Sequence, residues 1–159
     1  MISPRPVRTE DIPGIIAMVS EVFAEYGLLL NAAIDEPRLL EADTYYRGSG
    51  GEFWVVEVDG TIRASGAVYL HRRAGELKAL YVHSTLRRQG VGRLLTRMAI
   101  DHARAAGRPR MMLWSDTRFR DAHRLYRKMG FQEFGLRVLR DSHDSTEFGF
   151  EMDLRRERG

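Results

Sequence analysis

The chain has 159 residues, of which 43% are hydrophobic and 30% are charged, and its formal net charge is +3. This length and composition predict one soluble globular domain, residues 1–159, and no apolar segment approaches the ~18 residues of a membrane span. The absence of cysteine excludes disulfides and thiolate chemistry. Together with the lack of a secretory-type apolar segment after Met1, it favours a cytoplasmic location.

The first third of the chain predicts one short strand and two helices. Residues 7–8 have an extended pattern, and residues 9–13 combine acids and a proline as helix starts do. Apolar residues then repeat at helical spacing until Gly27. A weaker pattern predicts a second helix over residues 35–46, and residues 25–46 are the least regular part of the sequence.

The rest of the chain alternates strand and helix patterns. Asp59-Gly60 is a strong hairpin signal between two β-compatible segments. The predicted strands are residues 53–58, 61–70, 76–82, 110–114, 131–139 and 146–154. The predicted helices run from Gly90 to Gly107 and from the residues after Thr117 to Gly130. The order β-α-α-β-β-β-α-β-α-β-β predicts an α/β fold, with a mixed sheet and helices on its faces.

A basic glycine turn connects the strand at residues 76–82 to the next helix. Arg87, Gly90 and Gly92 form the pattern Arg-x-x-Gly-x-Gly. A helix N-terminus exposes unpaired N–H groups and the positive end of the helix dipole, and glycines let an anion reach them. A P-loop and a dinucleotide loop are excluded, because no Gly-Lys-Ser/Thr follows and Leu95 replaces the third glycine. An anion site remains, or alternatively a plain turn with solvated arginines.

This glycine turn resembles the acyl-CoA pyrophosphate loop of the GNAT N-acetyltransferase superfamily. A second segment, residues 122–131, is similar to the family's Ala-x-x-Leu-Tyr-x-x-x-Gly-Phe motif and follows at the expected distance. The predicted element order also looks like the GNAT fold from end to end. One departure is Phe119, which stands where many members have an asparagine that touches the cofactor. We therefore transfer no such contact to Phe119.

The resemblance implies acetyl-CoA as co-substrate and places it on two segments. Its pyrophosphate is expected at the loop residues Arg87, Arg88, Gln89, Gly90, Val91, Gly92 and Arg93. Its pantetheine arm is expected along the main chain of Leu80, Tyr81 and Val82. The thioester would then lie near the middle of this strand.

Two proton-transfer roles follow from the same resemblance. Attack on a thioester needs a neutral amine, whereas an alkylamine with a pKa of ~10.4 is almost fully protonated near neutral pH. Glu76 matches the family's strand-borne general base, although it could equally be a solvated residue at a hairpin end, and a β-bulge would decide which way it points. Tyr126 matches the family's proton donor to the CoA thiolate, and the alternative is a core tyrosine. His83 is a weaker proton-transfer candidate.

The sequence therefore predicts an N-acetyltransferase that moves an acetyl group to a primary amine of a small or amino-acid-like acceptor by direct attack. The alternatives are a catalytically silent acyl-CoA sensor and a protein or peptide N-acetyltransferase. Four aromatic residues are candidates for the acceptor pocket, for the core or for a dimer surface: Tyr26, Tyr45, Tyr46 and Trp54. Histidine spacing predicts no metal site, and basic residues interleaved with acids predict no nucleic-acid partner. No membrane partner is expected, and a homodimer is left open.

Overall fold

The computed structural model of the protein describes residues 2–155. Within them, strands β1 to β7 cover Arg5–Pro6, Glu52–Val58, Thr61–Leu70, Gly75–Val82, Arg110–Asp116, Gln132–Val138 and Thr146–Asp153. Helices α1 to α5 cover Ile12–Ala24, Ala32–Asp35, Tyr45–Gly48, Val91–Ala105 and Arg120–Lys128. Short 3-10 turns lie at Thr9–Asp11, Pro37–Glu41 and Ser84–Leu86.

The strands form one mixed sheet in the order β1-β2-β3-β4-β5-β7-β6. β4 and β5 run parallel, and the other neighbouring strands run antiparallel. Parallel neighbours need a crossover connection, which α4 supplies. The predicted α/β class with a mixed sheet is confirmed.

The segment before β2 differs from its prediction. A single helix over residues 35–46 is wrong, because the structure has α2, a 3-10 turn and α3 in its place. Pro37 provides the physical reason. A proline lacks a backbone N–H and disfavours helical geometry in the residue before it, and Glu36 accordingly has φ −146° and ψ 63°.

The first strand lies at Arg5–Pro6, not at the predicted residues 7–8, and Asp11 holds it in place. The Arg5 guanidinium donates two hydrogen bonds to the Asp11 carboxylate, at 2.8 and 2.9 Å. The Arg8 N–H donates a third at 2.7 Å. These bonds, chiefly those from Arg5, lower the pKa of Asp11 below its ordinary value.

Replacing Asp11 with asparagine should destabilise the fold by ~1.5–3 kcal/mol near neutral pH, because charge-assisted hydrogen bonds are lost. The folded pKa lies below the unfolded pKa of about 4, so this stabilisation is complete above the unfolded value and is lost as pH falls through the folded value. Denaturant titrations near neutral pH and at low pH measure it. Glu57→Gln removes only an exposed partner of Arg5 and should cost under ~1 kcal/mol. A D11N deficit that persists unchanged in acid would contradict the argument.

Helices cover both faces of the sheet and create two apolar clusters. α4 and α5 pack on one face, while α1 and residues 32–48 pack on the other. The approach of α4 to β4 depends on Gly75, where a Cβ would lie 2.5 Å from the Ala103 Cβ. No helix between residues 2 and 155 has the length and apolar character to cross a membrane.

Candidate active site

The two parallel strands separate part-way along their length, which opens the centre of the sheet. The pairing of β4 with β5 covers Gly75↔Met111, Glu76↔Met112 and Leu77↔Leu113. Beyond Leu77 a cavity of about 290 Å³ lies between the strands. On this side, the backbone of the second half of β4 has no strand partner among the described residues.

A β-bulge in β4 marks the point where the strands part. Ala79 and Leu80 together face Gly66 of β3, and Ala79 has a φ of +52°. The Ser65 hydroxyl donates a hydrogen bond to the Ala79 carbonyl at 2.7 Å. As a result Leu77 and Leu80 both pack in the cluster under α4, which simple alternation along a strand would forbid.

Predicted site residues from β4, the loop after it, α4 and α5 meet at the cavity. Those that line it are Leu80, Tyr81, Val82, Arg87, Gly92 and Tyr126. The remaining predicted loop residues, which adjoin this lining without belonging to it, are Arg88, Gln89, Gly90, Val91 and Arg93. Glu76 lies outside the lining.

The start of α4 has the geometry expected of an anion-binding site. Gly90 is the N-cap and has a φ of +77°, a conformation that suits glycine. The Leu94 N–H donates to the Gly90 carbonyl at 2.9 Å. The N–H groups of the first helical residues, 91–93, therefore precede this bond and are available to a ligand.

The three arginines of this loop differ in their contacts. Arg87 donates to the Glu25 carboxylate at 2.5 and 3.1 Å and to the Val82 carbonyl at 3.1 Å, so it joins α1 to the end of β4. The side chains of Arg88 and Arg93 are exposed and make no ion pair within residues 2–155. These two leave their positive charge available beside the helix N-terminus.

Tyr126 projects from α5 into the cavity wall. Its ring packs against Phe131 and Phe150, with centroid distances of 5.8 and 5.6 Å. The hydroxyl has no hydrogen-bond partner among the described residues, although the side chain lines the cavity. Burial raises the pKa of Tyr126 above its ordinary value, so the hydroxyl keeps its proton at neutral pH.

The two other proton-transfer candidates lie outside the lining. Glu76 contacts the His71 Nε2 at 2.8 Å and the Lys78 Nζ at 3.8 Å, and its side chain is 12% exposed. His83 is buried, with its ring nitrogens 2.9 Å from the Thr85 hydroxyl and 2.8 Å from the Glu21 carboxylate. Neither side chain contacts the cavity directly.

Comparison with known proteins shows which family the chain belongs to. Residues 18–131 match the model of the Acetyltransferase (GNAT) family. The chain belongs to this family. The predicted resemblance and the predicted class of acyltransferase are thereby confirmed for this GNAT protein.

Individual relatives agree with the family match. The chain is 29% identical over 134 residues to an uncharacterized N-acetyltransferase of Escherichia coli K12, YjgM, and the match covers 80% of each. A GNAT acetyltransferase structure from Staphylococcus aureus Mu50 has a TM-score of 0.85 at 19% identity, covering 98% of this chain and 100% of that one. The structure of yncA from Salmonella typhimurium, which contains its cofactor acetyl-CoA, has a TM-score of 0.77 at 18% identity, covering 100% and 97%.

One wall of the GNAT cavity was not predicted. Glu36, which directly precedes Pro37, lines the cavity and accepts a hydrogen bond from the Tyr81 hydroxyl. Burial raises the pKa of both groups, and the negative charge of Glu36 raises that of Tyr81 further. An acid before a proline in an irregular segment is a common turn pattern, so the sequence carried no specific signal for this contact.

A second unpredicted group comes from the last hairpin. The Arg137 guanidinium lies 4.4 Å from the centre of the Trp114 ring and 2.7 Å from the Glu147 carboxylate. Arg118 forms a similar pair with Asp116 at 2.9 Å. These basic residues line the cavity with their charges already neutralised.

The aromatic candidates for the acceptor pocket separate into two groups. Tyr26 lines the cavity and contacts Phe119 edge-on at 4.9 Å. Tyr46 and Trp54 are buried in the two apolar clusters. Tyr45 packs against the second of these clusters and does not line the cavity. Residues 2–155 hold no cluster of three or more His, Asp or Glu side chains suited to a metal ion.

Proposed function

We propose that this GNAT protein transfers an acetyl group from acetyl-CoA to the primary amine of a small acceptor by direct attack. The supporting observation is the cavity at the separation of β4 from β5, which has the free N-terminus of α4 at one end. That combination offers donors for a pyrophosphate and unpaired strand backbone for the pantetheine arm of the cofactor.

In this proposal, Tyr126 and Glu76 take part in the two proton transfers. The amine nitrogen attacks the thioester carbonyl carbon, the carbon–sulfur bond breaks, and the departing thiolate takes a proton from Tyr126. The position of Tyr126 supports this role, because its hydroxyl has no hydrogen-bond partner among residues 2–155 and the side chain lines the cavity. The proton of the amine leaves to Glu76, through water since Glu76 does not line the cavity.

The limited space of the cavity supports a small acceptor. Its volume is about 290 Å³, and the thioester end of the cofactor would share this space with the acceptor. A small amine or amino-acid-like metabolite suits such a shared site.

Release of CoA from acyl-CoA in the presence of an amine library tests the proposal. Acetyl-, propionyl- and succinyl-CoA serve as alternative donors, so the acyl preference is measured in the same assay. Amine-dependent CoA release is the expected result. Tight binding of acetyl-CoA without release for any amine would instead favour the sensor interpretation.

Replacing Glu76 with glutamine should lower kcat/KM by ~10²–10⁴-fold near neutral pH if the carboxylate accepts the amine proton. The deficit should shrink as pH rises, because alkaline solution supplies more neutral amine. The measurement is kcat/KM against pH for both proteins with one acceptor. Profiles of the same shape that differ less than about threefold, far below the range for a lost base, would remove Glu76 from the mechanism.

A further inference from the structure

Glu36 differs from the other acidic side chains of the cavity because, among residues 2–155, it has neither a basic side chain nor a backbone N–H group within hydrogen-bond distance. Glu147 pairs with Arg137 at 2.7 Å, and Asp116 pairs with Arg118 at 2.9 Å. The remaining acids of the lining are also engaged: Asp121 with Arg124, Asp35 with His143, and Asp141 with the N–H groups of residues 143 and 145. Glu36 accepts a hydrogen bond only from the Tyr81 hydroxyl, a neutral donor, and the charge of Lys78 acts on it from beyond hydrogen-bond distance.

The structure holds Glu36 firmly at the cavity wall. The neighbouring Asp35 carboxylate accepts hydrogen bonds from the Ser142 N–H at 3.0 Å and the Ser142 hydroxyl at 2.7 Å. It also accepts one from the Asn31 N–H at 2.9 Å. Pro37 restricts the backbone on the other side. The Glu36 carboxylate is therefore presented by fixed backbone, as a binding group requires.

The charges around Glu36 select for a positive ligand. The basic side chains of the lining already have acidic partners: Lys78 with Glu76, Arg87 with Glu25, Arg118 with Asp116 and Arg137 with Glu147. A carboxylate on the acceptor would find no unpaired cation, and it would meet Glu36. An ammonium or amidinium group would instead give the Glu36 carboxylate a cationic partner at hydrogen-bond distance.

The reacting nitrogen is a poor candidate for that positive group. A carboxylate beside an ammonium raises the pKa of the ammonium and keeps it protonated, which opposes the attack on the thioester. A charge that does not react has no such conflict. We propose that Glu36, held by Tyr81, binds a second positive group on the acceptor, so that diamine-like molecules are substrates and amino acids with a free carboxylate are not. This inference rests on the proposed acetyl transfer and narrows its acceptor.

A cation site at Glu36 predicts that the binding of a dication depends on pH. The charged and titratable groups that face Glu36 are Tyr81 and Lys78 on β4, Glu147 on β7, Asp35 on α2 and Tyr46 on α3. Burial raises the pKa of Glu36, whereas the hydrogen bond from Tyr81 lowers it only in part. KM for a dication should therefore fall as pH rises through this raised pKa, while KM for a monoamine should not follow it.

Three matched amines test the proposal: 1,4-diaminobutane, n-butylamine and 4-aminobutyrate. The wild-type protein should prefer them in that order, and the advantage of diaminobutane should appear in KM. Glu36→Gln should raise KM for diaminobutane about 10- to 100-fold, the loss of one charge-assisted hydrogen bond, and leave KM for butylamine nearly unchanged. Glu36→Asp should restore part of the preference. Glu41→Gln, an exposed carboxylate of the same segment outside the cavity, serves as the control and should alter neither value.

Several results would overturn the inference. A wild-type preference for 4-aminobutyrate, or E36Q retaining the full advantage of diaminobutane, contradicts it. An equal loss of kcat for all three amines with KM unchanged would identify Glu36 as a base. If E36Q does not fold, the wild-type protein provides the test through the ratio of KM for butylamine to KM for diaminobutane, measured against pH. A ratio that does not change with pH contradicts the inference. Two separate measurements distinguish failure of the acetyl transfer from failure of the cation site. If no amine causes CoA release, the acetyl transfer is refuted. Calorimetric titration of diaminobutane into the CoA-saturated protein needs no turnover, and equal binding heat in the wild type and E36Q would refute the cation site.

Discussion

Replacing Tyr126 with phenylalanine should lower kcat by ~10²–10⁴-fold, the usual effect of removing a general acid, and leave acetyl-CoA binding nearly unchanged. The phenylalanine ring would keep the contacts with Phe131 and Phe150. The hydroxyl makes no hydrogen bond within residues 2–155, so its removal breaks no native bond. The melting temperature should therefore hardly change. Steady-state kinetics, calorimetric titration with acetyl-CoA and thermal unfolding of both proteins measure the three quantities.

Tyr69→Phe is the matched control, because it removes a tyrosine hydroxyl from a strand residue outside the cavity. It should keep wild-type kcat. If Y126F also keeps wild-type kcat with the best acceptor, Tyr126 is a packing residue and the thiolate takes its proton from solvent.

Replacing Gly92 with valine should abolish measurable acetyl-CoA binding in a protein that still folds. A Cβ at this position would lie 3.5 Å from Leu125 and 3.8 Å from Val82, which are ordinary contacts, so the helix tolerates it. The branched methyl groups would crowd the N–H groups at the start of α4. The loss of two charge-assisted hydrogen bonds, ~1.5–3 kcal/mol each, corresponds to ~10²–10⁴-fold in Kd.

Two further glycine variants provide an intermediate change and a control. Gly92→Ala should weaken binding less than valine, because one methyl group leaves part of the approach open. Gly48→Val adds a side chain where nothing lies within 4 Å of the Cβ, at a position outside the cavity lining, and this variant should bind acetyl-CoA like the wild type. A Gly92→Val protein with unchanged Kd would remove the anion site from the proposal.

The parts of the fold that were predicted well depend on local patterns. Asp59-Gly60 determines the β2–β3 turn, and α4 begins after Gly90 and ends before Gly107 as expected. The prediction of one helix over residues 35–46 was wrong because it relied on the spacing of apolar side chains alone. That spacing is helical, but Pro37 interrupts the helical backbone.

The site could be predicted only where a family motif or a local pattern covered it. Tyr126 and the loop residues belong to short motifs, and the structure brings Tyr126, Arg87 and Gly92 to one cavity. The direction of Glu76 relative to the cavity depends on strand geometry at Ala79, where a bulge has no clear sequence signature. Glu36 reaches the cavity through contacts between distant segments, which no periodicity reveals.

The contact between Asp35 and Ser142 determines when the acceptor wall can form during synthesis of the chain. Its two residues are 107 positions apart, so the early segment cannot be anchored until the final hairpin has left the ribosome. Acceptor recognition should therefore appear only after the final hairpin has formed. Because β7 also pairs with β5, local opening of this hairpin should loosen the acceptor wall together with one side of the cavity.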